Sequence, residues 1–138
     1  MKRLLALLFL SFIIFSCTDT KKQEKDLFNE VIKVHDRVMG KEQLIMTNKM
    51  QLDTLIRNST TTEVTAAAAK THSIALDSTD ARMETWMHNF DAENKGKSHD
   101  EIMTYLTDQK KLIDAIDSSF NNTVAAAAKF IKQNKTTK

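Results

Sequence analysis

The stretch 98–134, SHDEIMTYLTDQKKLIDAIDSSFNNTVAAAAKFIKQN, decides the fold class. Within it Ile102, Leu106, Gln109, Ile113, Ile116, Phe120, Thr123, Ala127 and Phe130 recur in a heptad-like rhythm, with Tyr105, Leu112 and Val124 beside them. Steps of three and four bring side chains back to one face of an α-helix, so the pattern predicts a long amphipathic helix with one burying stripe. Ser98 and Glu101 match the capping box that satisfies free amides at a helix start. Lys129, Lys132, Lys135 and Lys138 load the far end, where the negative pole of the helix dipole favours cations. Such a stripe needs neighbours to cover it.

Two earlier segments supply them. From Leu27 to about Arg57, Phe28, Val31, His35, Val38, Glu42, Ile45, Lys49, Leu52 and Ile56 form one helical stripe, with Glu42 and Lys49 as lapses. Gly40 falls inside it and costs about 1 kcal/mol relative to alanine, which marks a bend or weak point. Arg57 to Thr60 break the pattern, and Thr60 with Glu63 matches a second capping box. The next helix is expected over about 61–90, with Leu76, Met83, Met87 and Phe90 on one face and a break at Ser78 as the main alternative. Asp91 to Lys97 read as a loop. Proline is absent and glycine occurs only at positions 40 and 96, so little else interrupts helices. The expected fold is all-α: an elongated, coiled-coil-like antiparallel three-helix bundle over 27–138, with helices at about 27–57, 61–90 and 98–134, since short connections make successive helices antiparallel neighbours.

The amino-terminal segment states an address. Lys2 and Arg3 precede an apolar run from Leu4 to Phe15, which ends at Ser16 and Cys17, the only cysteine. The run is a dozen residues long, short of the roughly 20 needed to span a bilayer. Its end lacks the A-x-A pattern of an ordinary secretory cleavage site. Ile14 and Ser16 instead supply the branched and small residues of a bacterial lipobox. Residues 1–16 are therefore expected to be a cleaved lipoprotein signal peptide, with Cys17 acylated and holding the chain on a lipid membrane. Anchoring of that kind needs two or more hydrophobic signals, at about 0.8 kcal/mol per buried methylene. The run 17–26 reads as the acylated cysteine and a solvated polar tether. Thr18 rather than aspartate follows Cys17, which favours the outer membrane, and the mixed charges of the tether favour the periplasmic side.

Removal of the signal changes the charge reading. The chain holds 20 Lys+Arg and 18 Asp+Glu; without Lys2 and Arg3 the count is 18 against 18. No basic field or aromatic-interleaved Arg/Lys stripe remains, so nucleic acid is not an expected partner. No nucleophile elbow, phosphate loop, H-E-x-x-H or EF-hand pattern occurs, and no catalytic residues support one another, so no enzyme activity is expected.

Histidine and methionine carry what chemistry there is. His35 lies four before Met39, Met46 four before Met50, Met83 four before Met87 with His88 next, and His99 four before Met103. Such pairs share a helix face. Thioether and imidazole together suit copper as Cu(I), or a haem iron held between helices. The competing reading is that methionine fills irregular gaps in a helical core.

The stretches His35-Asp36-Arg37-Val38-Met39 and Trp86-Met87-His88-Asn89-Phe90, with the signal and Cys17, resemble a group of small uncharacterised helical lipoproteins of Bacteroidota-type bacteria that often carry the label "viral A-type inclusion protein". The resemblance implies a helical envelope lipoprotein and carries no activity, ligand or catalytic residue. Antiparallel pairing of the first two helices would bring His35 and Met39 towards Met87 and His88. Two functions are expected in competition: a structural or partner-binding lipoprotein, held to an envelope protein or to its own copies, and a copper- or haem-binding bundle at that cluster.

Overall fold

The computed structural model describes residues 2–58 and 60–135, with side chains from Asp19 onward. Four α-helices follow in order: α1 (Lys2–Met39), α2 (Glu42–Arg57), α3 (Glu63–Asn89) and α4 (His99–Asn134). Gly40 and Lys41 alone separate α1 from α2, so these two form one bent leg of a three-legged bundle. The signal segment 1–16 and the side chain of Cys17 lie outside the residues whose side chains are described.

The direction of each leg follows from its partners. Along the first leg Glu24 meets His99, Arg37 meets Asp117, and Asn48 meets the Val124 carbonyl. Both numbers rise together, so α1 and α2 run parallel to α4. Against α3 the numbers oppose: Phe28 packs near Phe90, His35 near Trp86, and Lys49 pairs with Asp77. The α3–α4 pair is likewise antiparallel, with Arg82 at Ser119, Thr79 at Thr123 and His72 at Phe130. The topology is up-down-up. The 36 residues of α4 extend over about 54 Å at 1.5 Å per residue, which makes the bundle elongated.

One apolar core runs along this axis. Val31, Val38, Leu52, Leu76, Leu106, Ile113 and Phe120 are almost fully buried. Each lies on the inward stripe of its helix, and α4, facing both other legs, contributes the longest buried series. Burial of a side chain of this size is worth about 1.5–3 kcal/mol, so the stripes hold the legs together. Three polar residues are buried with them: Asn48, Thr79 and Asp117. Each is satisfied. The Asn48 amide donates to the Val124 carbonyl at 3.1 Å, and the Thr79 hydroxyl donates to the Ala75 carbonyl at 2.9 Å. α3 passes Ser78 without a break, and Thr79 returns its hydroxyl to its own helix.

The expected single helix over 27–57 is divided at Gly40–Lys41. The amide of Gly40 still reaches back four residues to Asp36, but Lys41 and Leu44 bond back only three, to Val38 and Lys41. That tighter winding bends the leg, as local 3₁₀ geometry does. Its consequence is electrostatic. Lys41 swings onto α4, where its ammonium donates to Asp117 at 3.1 Å and to Asn121 at 2.7 Å. The Arg37 guanidinium reaches the other Asp117 oxygen at 2.9 Å. Burial raises the Asp117 pKa, but the hydrogen bonds and charges of Lys41 and Arg37 outweigh it and hold the carboxyl below its ordinary value.

Two helix starts differ in detail. Ser98 and Glu101 form the expected capping box: the Ser98 amide donates to the Glu101 carboxylate at 2.7 Å, and the Ser98 oxygen accepts from the Glu101 amide. At α3, however, Thr60 is not the cap. The Asn58 side chain accepts from both the amide and the hydroxyl of Thr60, which draws Thr60 into a turn. Thr62 caps instead, accepting from the Thr65 amide at 3.2 Å. The 91–97 loop turns through Asn94 and Gly96, both at positive φ. The polar run expected as a tether is helical from Thr18 through Asp26, and most of it is exposed. Thr20 and Glu24 are half-buried, and Glu24 pairs with His99 at 2.8 Å, so the bundle begins before Leu27.

Candidate functional site

The carboxyl-terminal half of α3 carries the chemistry-bearing residues, and it presents them on two flanks. One flank turns towards α1 and α2 with Asp80, Met83, Glu84 and Met87. The other turns towards α4 with Arg82, Thr85, Trp86 and Asn89. Successive residues on a helix point about 100° apart, so neighbours such as Trp86 and Met87 serve different grooves.

On the first flank, antiparallel packing brings His35 to Met87, with the imidazole Nε2 3.4 Å from the thioether sulfur. The other ring nitrogen, Nδ1, lies 2.9 Å from a carboxylate oxygen of Asp36. A carboxylate only accepts, so Nδ1 carries the hydrogen. His35 is about a quarter exposed, whereas Asp36 is largely exposed. Met39, one turn after His35, packs against the core and lines a groove of about 290 Å³ with Glu42, Asp80, Met83, Glu84 and Met87. Two of the expected residues, His35 and Met87, therefore meet, and Met39 joins Met87 in the adjoining groove.

His88 does not join them. Its side chain is 78% exposed and points to Glu84, 3.8 Å away on its own helix. The step of one residue from Met87 rotates it out of the groove. Met83 is buried and Met87 is 38% exposed, so the first is a core residue and the second is accessible. Met46 and Met50 face solvent on α2. His99 is occupied by Glu24. Among the described residues no group of three or more His, Cys, Asp or Glu side chains is placed to hold a metal ion.

Aromatic rings support this end of the bundle. Trp86 stacks on Phe90 with centroids 4.8 Å apart, Phe90 lies 6.1 Å from Tyr105, and His35 lies 6.0 Å from Trp86. Trp86 is buried, and its indole N–H has no hydrogen-bond partner among the described residues. The Tyr105 hydroxyl accepts from the Asp91 amide, which ties the 91–97 loop to α4.

The second groove, between α3 and α4, encloses about 350 Å³. Trp86, Ala115, Ile116 and a 53%-exposed Leu112 give it an apolar centre, and Arg82, Thr85, Asn89 and Gln109 edge it. The periodicity of α4 places Leu112 beside the buried stripe, yet the structure leaves it open to solvent. Its only sequence signal is that it precedes the stripe residue Ile113 and so lies at the margin of the apolar face.

No helix among the described residues is long and apolar enough to cross a membrane. Comparison of the chain with protein-family models, with curated proteins and with solved structures gives no match.

Proposed function

We propose that the chain is a lipid-anchored envelope protein, acylated at Cys17 on the outer membrane and facing the periplasm, whose helical bundle binds a partner protein rather than catalysing a reaction. The observation that carries the reading is the α3–α4 groove. The exposed Leu112, set over the buried Trp86 and Ile116 and edged by polar side chains, has the layout of a protein interface, in which an apolar centre is surrounded by a hydrated rim. The signal-like segment ending at Cys17 supports the anchor, and the resemblance to small envelope lipoproteins points the same way. The helical run 18–26 would hold the bundle close to the membrane surface.

Leu112→Glu tests the reading, because a half-exposed position accepts a charge without loss of the fold. Membranes carrying the wild-type chain are cross-linked and the adduct masses measured. The reading expects a discrete adduct that is lost in Leu112→Glu, with helicity unchanged. An adduct of twice the chain's own mass would identify self-association, and a wild-type chain that stays monomeric would refute the proposal.

A further inference from the structure

The contact between His35 and Met87 poses a chemical question that partner binding does not answer. Asp36 fixes the hydrogen of the imidazole on Nδ1, so the neutral ring directs the lone pair of Nε2 at a sulfur that also offers lone pairs. At 3.4 Å the two soft donors are in contact, and together they can chelate a soft metal ion.

The distance bears on the coordination geometry. Taking the zinc bond lengths of about 2.0 Å to imidazole nitrogen and about 2.3 Å to thiolate sulfur as a guide, ligands at a tetrahedral angle stand about 3.5 Å apart, and ligands on opposite sides of an ion stand about 4.3 Å apart. The 3.4 Å separation, an ordinary contact between nitrogen and sulfur, is compatible with the bent arrangement. It is too short for the two axial positions of a haem. Asp36 meanwhile occupies the place of the carboxylate that commonly orients a metal-bound histidine through its other nitrogen.

A third soft donor lines the adjoining groove. Met39 is one turn from His35 and lines the same groove as Met87, on a side chain with three rotatable bonds. The groove carries three carboxylates, Glu42, Asp80 and Glu84, and no cationic side chain among its lining residues. Its field therefore favours a cation. Thioether donors select Cu(I) over harder ions, and the described residues hold no His/Cys/Asp/Glu group suited to zinc. From these observations the geometry points to a Cu(I) site formed by His35 Nε2, Met87 Sδ and Met39 Sδ, on the flank of α3 opposite the α3–α4 groove. The site binds Cu(I) without a redox step, and it leaves the anchoring and the docking surface unaltered.

The test is an anaerobic titration of the full chain with Cu(I) against a colorimetric Cu(I) chelator, with Ag(I) as the redox-inert probe for NMR. One equivalent is expected to bind, with the methyl resonances of Met39 and Met87 shifting and those of Met46 and Met50 unmoved. His35→Gln and Met87→Leu should each weaken binding by at least the about tenfold that loss of an outer-shell partner costs. Asp36→Asn should weaken it less, and His88→Ala should leave it unchanged. Circular dichroism establishes that each variant is folded; Met87→Leu, at a partly exposed site, keeps the test available if His35→Gln unfolds. Absence of binding, binding retained in both ligand variants, shifts confined to Met46 and Met50, or a preference for Zn(II) would each overturn the assignment.

Discussion

Replacing Asp117 by alanine should destabilise the bundle by about 2–3 kcal/mol. The carboxylate is 12% exposed and accepts from two cations: Arg37, which is 47% exposed, and Lys41, which is 28% exposed. A hydrogen bond to a charged group contributes about 1.5–3 kcal/mol. The Lys41 contact counts towards the lower end, because Asn121 remains as a second acceptor. The Arg37 contact is discounted to at most about 1 kcal/mol, since an exposed guanidinium turns to water once its partner is lost. That sum is below the about 3–5 kcal/mol typical of breaking a fully buried pair, because neither cation is left isolated in the core. Asp117→Asn keeps the shape and one acceptor, so it should cost about half as much. Urea denaturation followed by helical circular dichroism measures both. The sign of the pH effect is fixed as well. The folded-state pKa of Asp117 lies below its ordinary value, so its contribution is fully present above the unfolded value near 4 and is lost as pH falls through the folded value. Asp117→Asn should therefore lose less stability than wild type on acidification below about pH 4. An Asp117→Ala cost under about 0.5 kcal/mol, the range of ordinary surface changes, would refute the argument that this residue joins the bent first leg to α4.

Phe120, 2% exposed at the centre of α4, should cost about 3–5 kcal/mol on replacement by alanine, read in the same denaturation assay. Trp86→Phe should fall within about 1 kcal/mol of wild type, because the loss of packing is offset by removal of a buried N–H that lacks a partner, a group that costs about 1–3 kcal/mol. A loss above about 3 kcal/mol would mean that the indole nitrogen is satisfied in solution. Hydrogen exchange should show amides from Val31 onward protected and those of residues 19–23 exchanging faster, because that turn is mostly exposed and contributes no residue to the core. Glu24→Gln should accelerate exchange through residues 24–27 and leave the core amides unchanged.

Helix existence was legible wherever apolar spacing was regular. Val31, Val38, Ile45 and Leu52 on the first leg, and Leu106, Ile113, Ile116 and Phe120 on α4, are both the readable stripe and the observed core. The approach of His35 to Met87 was legible too, because antiparallel pairing of two helices of known extent fixes which ends meet. Residues buried against type were not. Asn48, Thr79 and Asp117 read as polar positions, and their burial depends on partners on other legs of the bundle: Val124, Thr123, Arg37 and Lys41. The cap of α3 was misplaced for a similar reason, since Thr60 and Thr62 both precede a plausible helix start and the Asn58 side chain decides between them. His88 separated from Met87 because adjacent residues diverge around a helix, and sequence proximity conceals that rotation. Met87 itself lies at the edge of the buried face, with Trp86 taking the inner place.

The most direct test of the anchored-bundle account is the intact mass of the full-length gene product, extracted from membranes with detergent, together with the mass of its amino-terminal peptide. The account predicts a polypeptide that begins at Cys17 and carries acyl chains on that residue, and it predicts that Cys17→Ala releases the folded bundle from the membrane fraction. A chain that retains residues 1–16, with a free thiol at Cys17 and unchanged membrane association in Cys17→Ala, would contradict it.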